Sequence, residues 1–265
     1  MPRFEHDGIS HYYNVQGHGD PLIFIHGLGL SHQNWIGQAP VFARRFQVIT
    51  YDCRGHGGTG VSRGPIEIRD LSEDLYALCQ HLGIEQAALI GYSTGTLIAQ
   101  NFALDHPEMV KSLCLIGSYA KVSSFLMQMR SSISKWMVQA NLHKMLAYSV
   151  ALSNAENVLQ RGFFYRIAKR ANPEEGRRII EASERFYTTG ELSRISCPIL
   201  LVHGSRDRST EVYAQNFVAK NPNVTISVVE KCNHAVATRA ISAFNVILDE
   251  WLDKLHAEKE KVSLL

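Results

Sequence analysis

No apolar run in this 265-residue chain approaches the about 18 residues that a membrane span requires. Its N-terminus, "MPRFEHDGIS", likewise lacks the apolar segment that heads a secreted precursor. Neither sign of charge dominates: 27 Lys and Arg stand against 25 Asp and Glu, which gives no reason to expect nucleic acid as a partner. Five cysteines, Cys53, Cys79, Cys114, Cys197 and Cys232, are scattered without C-x-x-C spacing, and most sit in or beside apolar runs. They are expected to be reduced thiols. None of the 12 histidines forms H-E-x-x-H or another short ligand spacing, so no metal is expected. These absences point to a cytoplasmic protein with no integral membrane association. They leave its oligomeric state open.

What is present is a rhythm. The short apolar runs "PLIFIHG", "FQVITYD", "QAALIGYS", "SLCLIG", "PILLVHG" and "TISVVEK" are bounded by Gly, Pro or Asp and read as buried parallel strands. A hairpin turning at Asp7-Gly8 precedes them. Between strands, "RDLSEDLYALCQHLG" puts Leu71, Leu75, Leu78, Cys79 and Leu82 on one stripe, which predicts an amphipathic helix ending at Gly83. Alternating strands and helices imply an α/β protein whose mostly parallel sheet is covered on both faces.

From about Tyr119 to Arg194 the rhythm stops and only helical periodicity continues, until "CPILLVHG" restores it. The expectation is a core of residues 1–118 and 196–265 with a helical cap, 119–195, inserted between two strands. The end, "DKLHAEKEKVSLL", reads as a last helix fraying into a tail.

The chemistry is announced by "LIGYSTGTLIAQ". A G-x-S-x-G pattern between a strand and a helix is a nucleophile elbow: Gly91 and Gly95 give clearance on a sharp, strained turn, and Ser93 Oγ is lifted above the sheet at a helix N-terminus. A serine needs a base and a group to orient that base, and in this arrangement both follow it in the chain, acid first. "ILLVHGSRDRST" ends a strand and reaches Asp207; "TISVVEKCNHAV" ends the next and reaches His234. Asp52 precedes the serine and reads as structural. The loop after "SLCLIG" offers no carboxylate. Oxyanion donors are expected from the backbone N–H groups of Thr94, which follows the nucleophile, and Leu28 in "FIHGLG".

Together "HGLG", "DCRGHGGTG", "GYSTG", "SRD" and "NH", in that order over essentially the whole chain, resemble the α/β-hydrolase superfamily, in particular its small capped esterases, lactonases and C–C hydrolases. The resemblance implies a mostly parallel eight-stranded sheet, a helical cap, a triad of Ser93, Asp207 and His234, and no cofactor. The chain departs from the family pattern at three places: Asn233 stands where glycine is common before the histidine, Thr96 where a second glycine is common, and "RST" follows Asp207 without proline.

"GHGGTG" matches a dinucleotide fingerprint, but "VSRGPIEIRD" separates it from any helix, so it reads as a structural loop with Asp52 and Arg54 holding turns. Cys232 reads as a small buried hydrophobe. In the cap, Trp136, Met137, Met145 and Phe163 are candidates for an apolar substrate wall. The cap is also basic, which a solvated helix face explains by default; steering of an anionic substrate or attraction to a membrane surface is the sharper reading. The expected substrate is a small-molecule ester, lactone or other acyl compound. C–C cleavage, cofactor-free perhydrolysis and a slow or non-hydrolysing ligand sensor are the alternatives.

Overall fold

Asp7 and Gly8, both with positive φ (51° and 68°), turn the first hairpin, joining β1 (Arg3–His6) to β2 (Ile9–Gln16) with His6 opposite Ile9. In the computed structural model, which describes residues 2–122 and 124–263, six further strands follow. They are β3 (Pro21–Ile25), β4 (Gln47–Tyr51), β5 (Ala87–Tyr92), β6 (Val110–Ile116), β7 (Ile199–Gly204) and β8 (Val224–Val229). The eight strands form one sheet in the order β1-β2-β4-β3-β5-β6-β7-β8, antiparallel at the β1-β2 and β2-β4 pairs and parallel elsewhere. The expected α/β-hydrolase fold is therefore what the chain adopts.

Burial follows from position in this sheet. β3, β5, β6 and β7 have helices on both faces and are apolar almost throughout. β8 is an edge: Ile226 and Val228 are 37 % and 44 % exposed, although "TISVV" reads like the buried strands. An apolar run does not disclose whether a neighbour covers it.

The helices between strands are α1 (Ala39–Phe42), α2 (Ile68–Leu82) and α3 (Thr94–Asp105) on one side of the insertion, and α8 (Arg208–Lys220), α9 (Val236–Arg239) and α10 (Ile241–Ser263) on the other. α2 buries Leu71, Leu75, Leu78 and Cys79, and stops where Gly83 takes φ 65°. Between β6 and β7 the described residues form no strand but the cap helices α4 (Phe125–Gln139), α5 (His143–Asn154), α6 (Val158–Ala168) and α7 (Pro173–Arg185), and a short 3-10 turn at Leu192–Arg194. α10 stays helical through Ser263, further than the charged tail suggests, because its first turns are anchored by buried Phe244, Leu248 and Trp251. Among the described residues no helix is long and apolar enough to cross a membrane, and all five cysteines are free.

Two buried acids tie the loops to this frame. Asp52, at the end of β4, accepts hydrogen bonds from the backbone of His32 (2.6 Å) and Gly58 (2.8 Å). A Cβ on Gly57 would fall 2.1 Å from its Oδ2, so only glycine fits there. Asp74, on α2, takes the Arg54 guanidinium on both oxygens, at 2.6 and 2.8 Å, and His6 Nδ1 at 2.8 Å. Burial alone would raise the Asp74 carboxyl; the hydrogen bonds from Arg54 and His6 outweigh it and hold the group below its ordinary range. The fold also brings His11 to Asp74 (3.5 Å), a gathering of two imidazoles and a carboxylate that chain spacing concealed. The guanidinium already seated on both Asp74 oxygens opposes a second cation there. Asp74→Asn leaves that buried guanidinium with only the exposed Asp7 carboxylate, at 3.2 Å, and is expected to destabilise the fold by about 3 kcal/mol, measured by urea unfolding.

Candidate active site

All the chemistry-bearing loops leave the carboxyl edge of the sheet, where open α/β sheets present their ligand crevice. Ser93 follows β5 directly, with φ 53° and ψ −118°, a conformation that side chains avoid. It is held by neighbours packed too closely for any Cβ. One on Gly91 would lie 2.7 Å from Gly95 O; one on Gly95, 2.3 Å from Ile25 O. Thr96, at the place where a second glycine is common, causes no clash: it is fully buried, and its hydroxyl donates to Ser93 O at 2.6 Å. The threonine fastens the elbow.

The structure brings Ser93, His234 and Asp207 into one hydrogen-bonded chain. Ser93 Oγ is 2.9 Å from His234 Nε2, and His234 Nδ1 is 2.7 Å from Asp207 Oδ2. The carboxylate accepts, so Nδ1 carries the proton and Nε2 is left to accept from the serine hydroxyl. Asp207 is nearly buried, whereas the His234 side chain is about a quarter exposed. Thr210 Oγ1 donates to the same Asp207 oxygen at 2.7 Å, so "RST" supplies a second donor in place of a proline. Asn233 does not use left-handed backbone; Lys231 does, with φ 57°. The Asn233 side chain instead accepts from the Ala235 N–H at 3.0 Å, closing a local turn around His234.

Sequence reasoning missed Gly117, the residue after β6. It has φ 60°, and a Cβ there would lie 2.6 Å from His234 Cε1. The imidazole rests on bare backbone. A glycine after a strand was the only signal. Tyr92 backs the same ring at 5.6 Å and gives its hydroxyl to Asn154 of the cap at 3.1 Å.

The expected oxyanion donors flank the serine. Thr94 is the first residue of α3, so its N–H has no acceptor within the helix. The loop bearing Leu28 passes so close that a Cβ on Gly27 would be 3.2 Å from Ser93 Cβ. Two buried histidines pin this loop on either side of Leu28. His26 Nδ1 lies 2.8 Å from Gly27 O while its Nε2 accepts from Cys53 N at 3.0 Å; His56 Nε2 accepts from Gly29 N at 2.9 Å. Each must be neutral to accept. Burial, and then the neighbouring His56, push the His26 imidazole down to about 3. The stretch "CRGHGGTG", read only as a structural loop, thus supports the site through His56.

Of the proposed substrate wall, Phe163, on α6, is half-buried against the core, and Met137 is half-buried on α4. Trp136 and Met145 are each 59 % exposed. Val150, not singled out in the sequence, stands nearer the chemistry: a Cβ on Gly29 would be 3.2 Å from its Cγ2.

A family profile described as "alpha/beta hydrolase fold" matches residues 20–163, more than half of the chain. The chain belongs to the α/β-hydrolase fold family. This α/β-hydrolase is 25 % identical over 260 residues to the (E)-2-((N-methylformamido)methylene)succinate hydrolase of Acinetobacter baylyi, covering 92 % of this chain and 94 % of that one. It is 28 % identical over 237 residues to 3-oxoadipate enol-lactonase 2 of the same organism, covering 84 % and 85 %. Its fold matches that of a carboxylesterase structure from Nitrososphaera gargenis with a TM-score of 0.87 at 22 % identity, over 97 % of this chain and all of that one.

Two tests follow from the geometry of this hydrolase. Gly117→Ala forces a methyl group into the imidazole at strained φ, and kcat is expected to fall by about 100-fold while circular dichroism is unchanged. For His26 the unfolded chain binds a proton near pH 6.5 and the folded chain only near 3, so stability contributed by the neutral ring is present above pH 6.5 and drains as pH falls across that window. Urea midpoints measured through it are expected to decline, with a shallower slope in His26→Ala.

Proposed function

We propose that this α/β-hydrolase is a serine hydrolase that cleaves carboxylic esters or lactones through an acyl-enzyme. The observation that carries the reading is the continuous Ser93–His234–Asp207 hydrogen-bonded chain, with only His234 and Ser93 open to solvent. In this reading His234 Nε2 takes the Ser93 proton as Oγ attacks the acyl carbon, and the imidazolium that forms is stabilised by Asp207. The negative charge developing on the carbonyl oxygen is met by the Thr94 and Leu28 N–H groups. His234 then protonates the leaving alkoxide, and water, deprotonated by the same imidazole, releases the acid. A lactone is opened by the same steps, its leaving group staying attached to the acyl chain.

The relative named as an enol-lactonase supports this choice of bond. Residues 119–195 serve as the cap over the crevice, with Met137 and Phe163 assigned to the substrate wall beside Val150. The exposed Trp136 and Met145 are assigned to its outer approach. Free, mostly buried thiols suit work in a reducing compartment such as the cytoplasm.

The test is rapid mixing with p-nitrophenyl esters of graded acyl length. A burst of p-nitrophenol stoichiometric with enzyme is expected, and its loss in Ser93→Ala and His234→Ala. A folded wild-type protein that gives no burst and no turnover with esters or lactones, yet cleaves a diketone, would move the assignment to C–C hydrolysis.

A further inference from the structure

On the cap helices α4 and α5 a stripe of large apolar side chains lies on the side turned away from the core. On α4, Met127, Ser131, Ser134 and Val138 share the inner, half-buried side, and no described residue is fully buried. Phe125, Met129, Ile133 and Trp136 recur at helical spacing on the opposite arc, 79 %, 41 %, 48 % and 59 % exposed. α5 repeats the pattern: small Ala147 and Ala151 face inward, while Met145, Tyr148 and Leu152 are about half exposed. α6 opens with Val158 and Leu159, 73 % and 87 % exposed. α5 packs on both α4 and α6, so these faces belong to one layer. Scattered exposed apolar residues are ordinary; adjoining helices that each carry an exposed apolar stripe call for something to cover them.

Charge decides what that is. Between Phe125 and Arg170 there are seven Lys and Arg and a single acid, Glu156. Among the described residues only Lys135 of these cations forms an ion pair, with Glu184 at 2.7 Å. Arg166 and Lys169 are exposed on the arc of α6 that carries Val158 and Leu159, Arg170 is exposed just beyond it, and none of the three has a carboxylate partner among the described residues. A second copy docked by two-fold symmetry would set this cationic layer against itself. A lipid surface bearing negative headgroups takes the apolar side chains into the acyl boundary and pairs the cations around them. We propose that the outer face of α4, α5 and α6 is a peripheral docking surface for anionic phospholipid membranes. This stands independently of the reaction assigned to Ser93.

Trp136 supplies the probe, because Trp35 and Trp251 are 0 % and 8 % exposed. The full chain is mixed with vesicles of phosphatidylcholine alone and of phosphatidylcholine with phosphatidylglycerol. A blue shift of tryptophan emission and cosedimentation are expected with the mixed vesicles, weakening as salt rises. Each cation near an anionic surface contributes about fivefold in partitioning, so Arg166→Glu with Lys169→Glu is expected to lower it more than about tenfold. Phe125→Ser with Ile133→Ser is expected to abolish the shift; all four side chains are exposed, and an unchanged Tm verifies the fold of each variant. Three results would overturn the proposal: no cosedimentation with the mixed vesicles, binding that neither pair alters, or a lipid-free dimer that buries Trp136. A further one is no vesicle binding but a raised KM for long-chain esters in Phe125→Ser with Ile133→Ser, which would make the face a substrate wall.

Discussion

The close approach of backbone around Ser93 is the constraint on which the rest of this molecule depends. A non-glycine residue at φ 53° persists only if its surroundings over-determine it. Here Gly91, Gly95 and Gly27 let β5, α3 and the loop after β3 approach to distances that no Cβ tolerates. The same approach sets the Ser93 hydroxyl 2.9 Å from His234 Nε2, and the parallel pairing of β5 with β3 and β6 pins the strained residue in place.

Support for this turn comes largely from buried polar groups held in one protonation state. His26 and His56 are useful because they are neutral: each accepts a backbone N–H on one nitrogen and meets a carbonyl with the other, so the Leu28 loop is clamped without a buried charge. Where charge is buried, it is paired. Arg54 and Asp74 join the β4 loop to α2, and Glu175 of the cap, fully buried, accepts from the Ser62 backbone and meets Arg178. Cap and core are stitched by these contacts and by Asn154, which receives both the Tyr92 and the Thr238 hydroxyls.

The cap therefore has two unlike surfaces. Its inner side packs Phe164, Ile167, Ile179 and Ile180 on the core and adds the polar contacts of Asn154 and Glu175. The outer side is large, apolar and basic. Together they place an adhesive layer outside the crevice in which Ser93 and His234 are open to solvent.

Much of this was legible in the chain. Strand rhythm disclosed the sheet, Asp7-Gly8 the hairpin, the helical interval the cap, and G-x-S-x-G with later strand-end Asp207 and His234 the residues now found in hydrogen-bonded contact, because periodicity and turn chemistry are local properties. Other features had no local signature. Gly117 matters for what a methyl group would strike across the fold, and His56 matters because Gly29 lies beside it. Periodicity gives a helix its apolar stripe but not the direction that stripe faces, so neither the exposure of Trp136 and Met145 nor the place of Val150 beside Gly29 was legible. β8 could pass for a buried strand for the same reason. Order along the chain determined which residues are candidates for the chemistry; only tertiary packing decided their distances, their protonation and which faces meet water, since those depend on neighbours far apart in sequence.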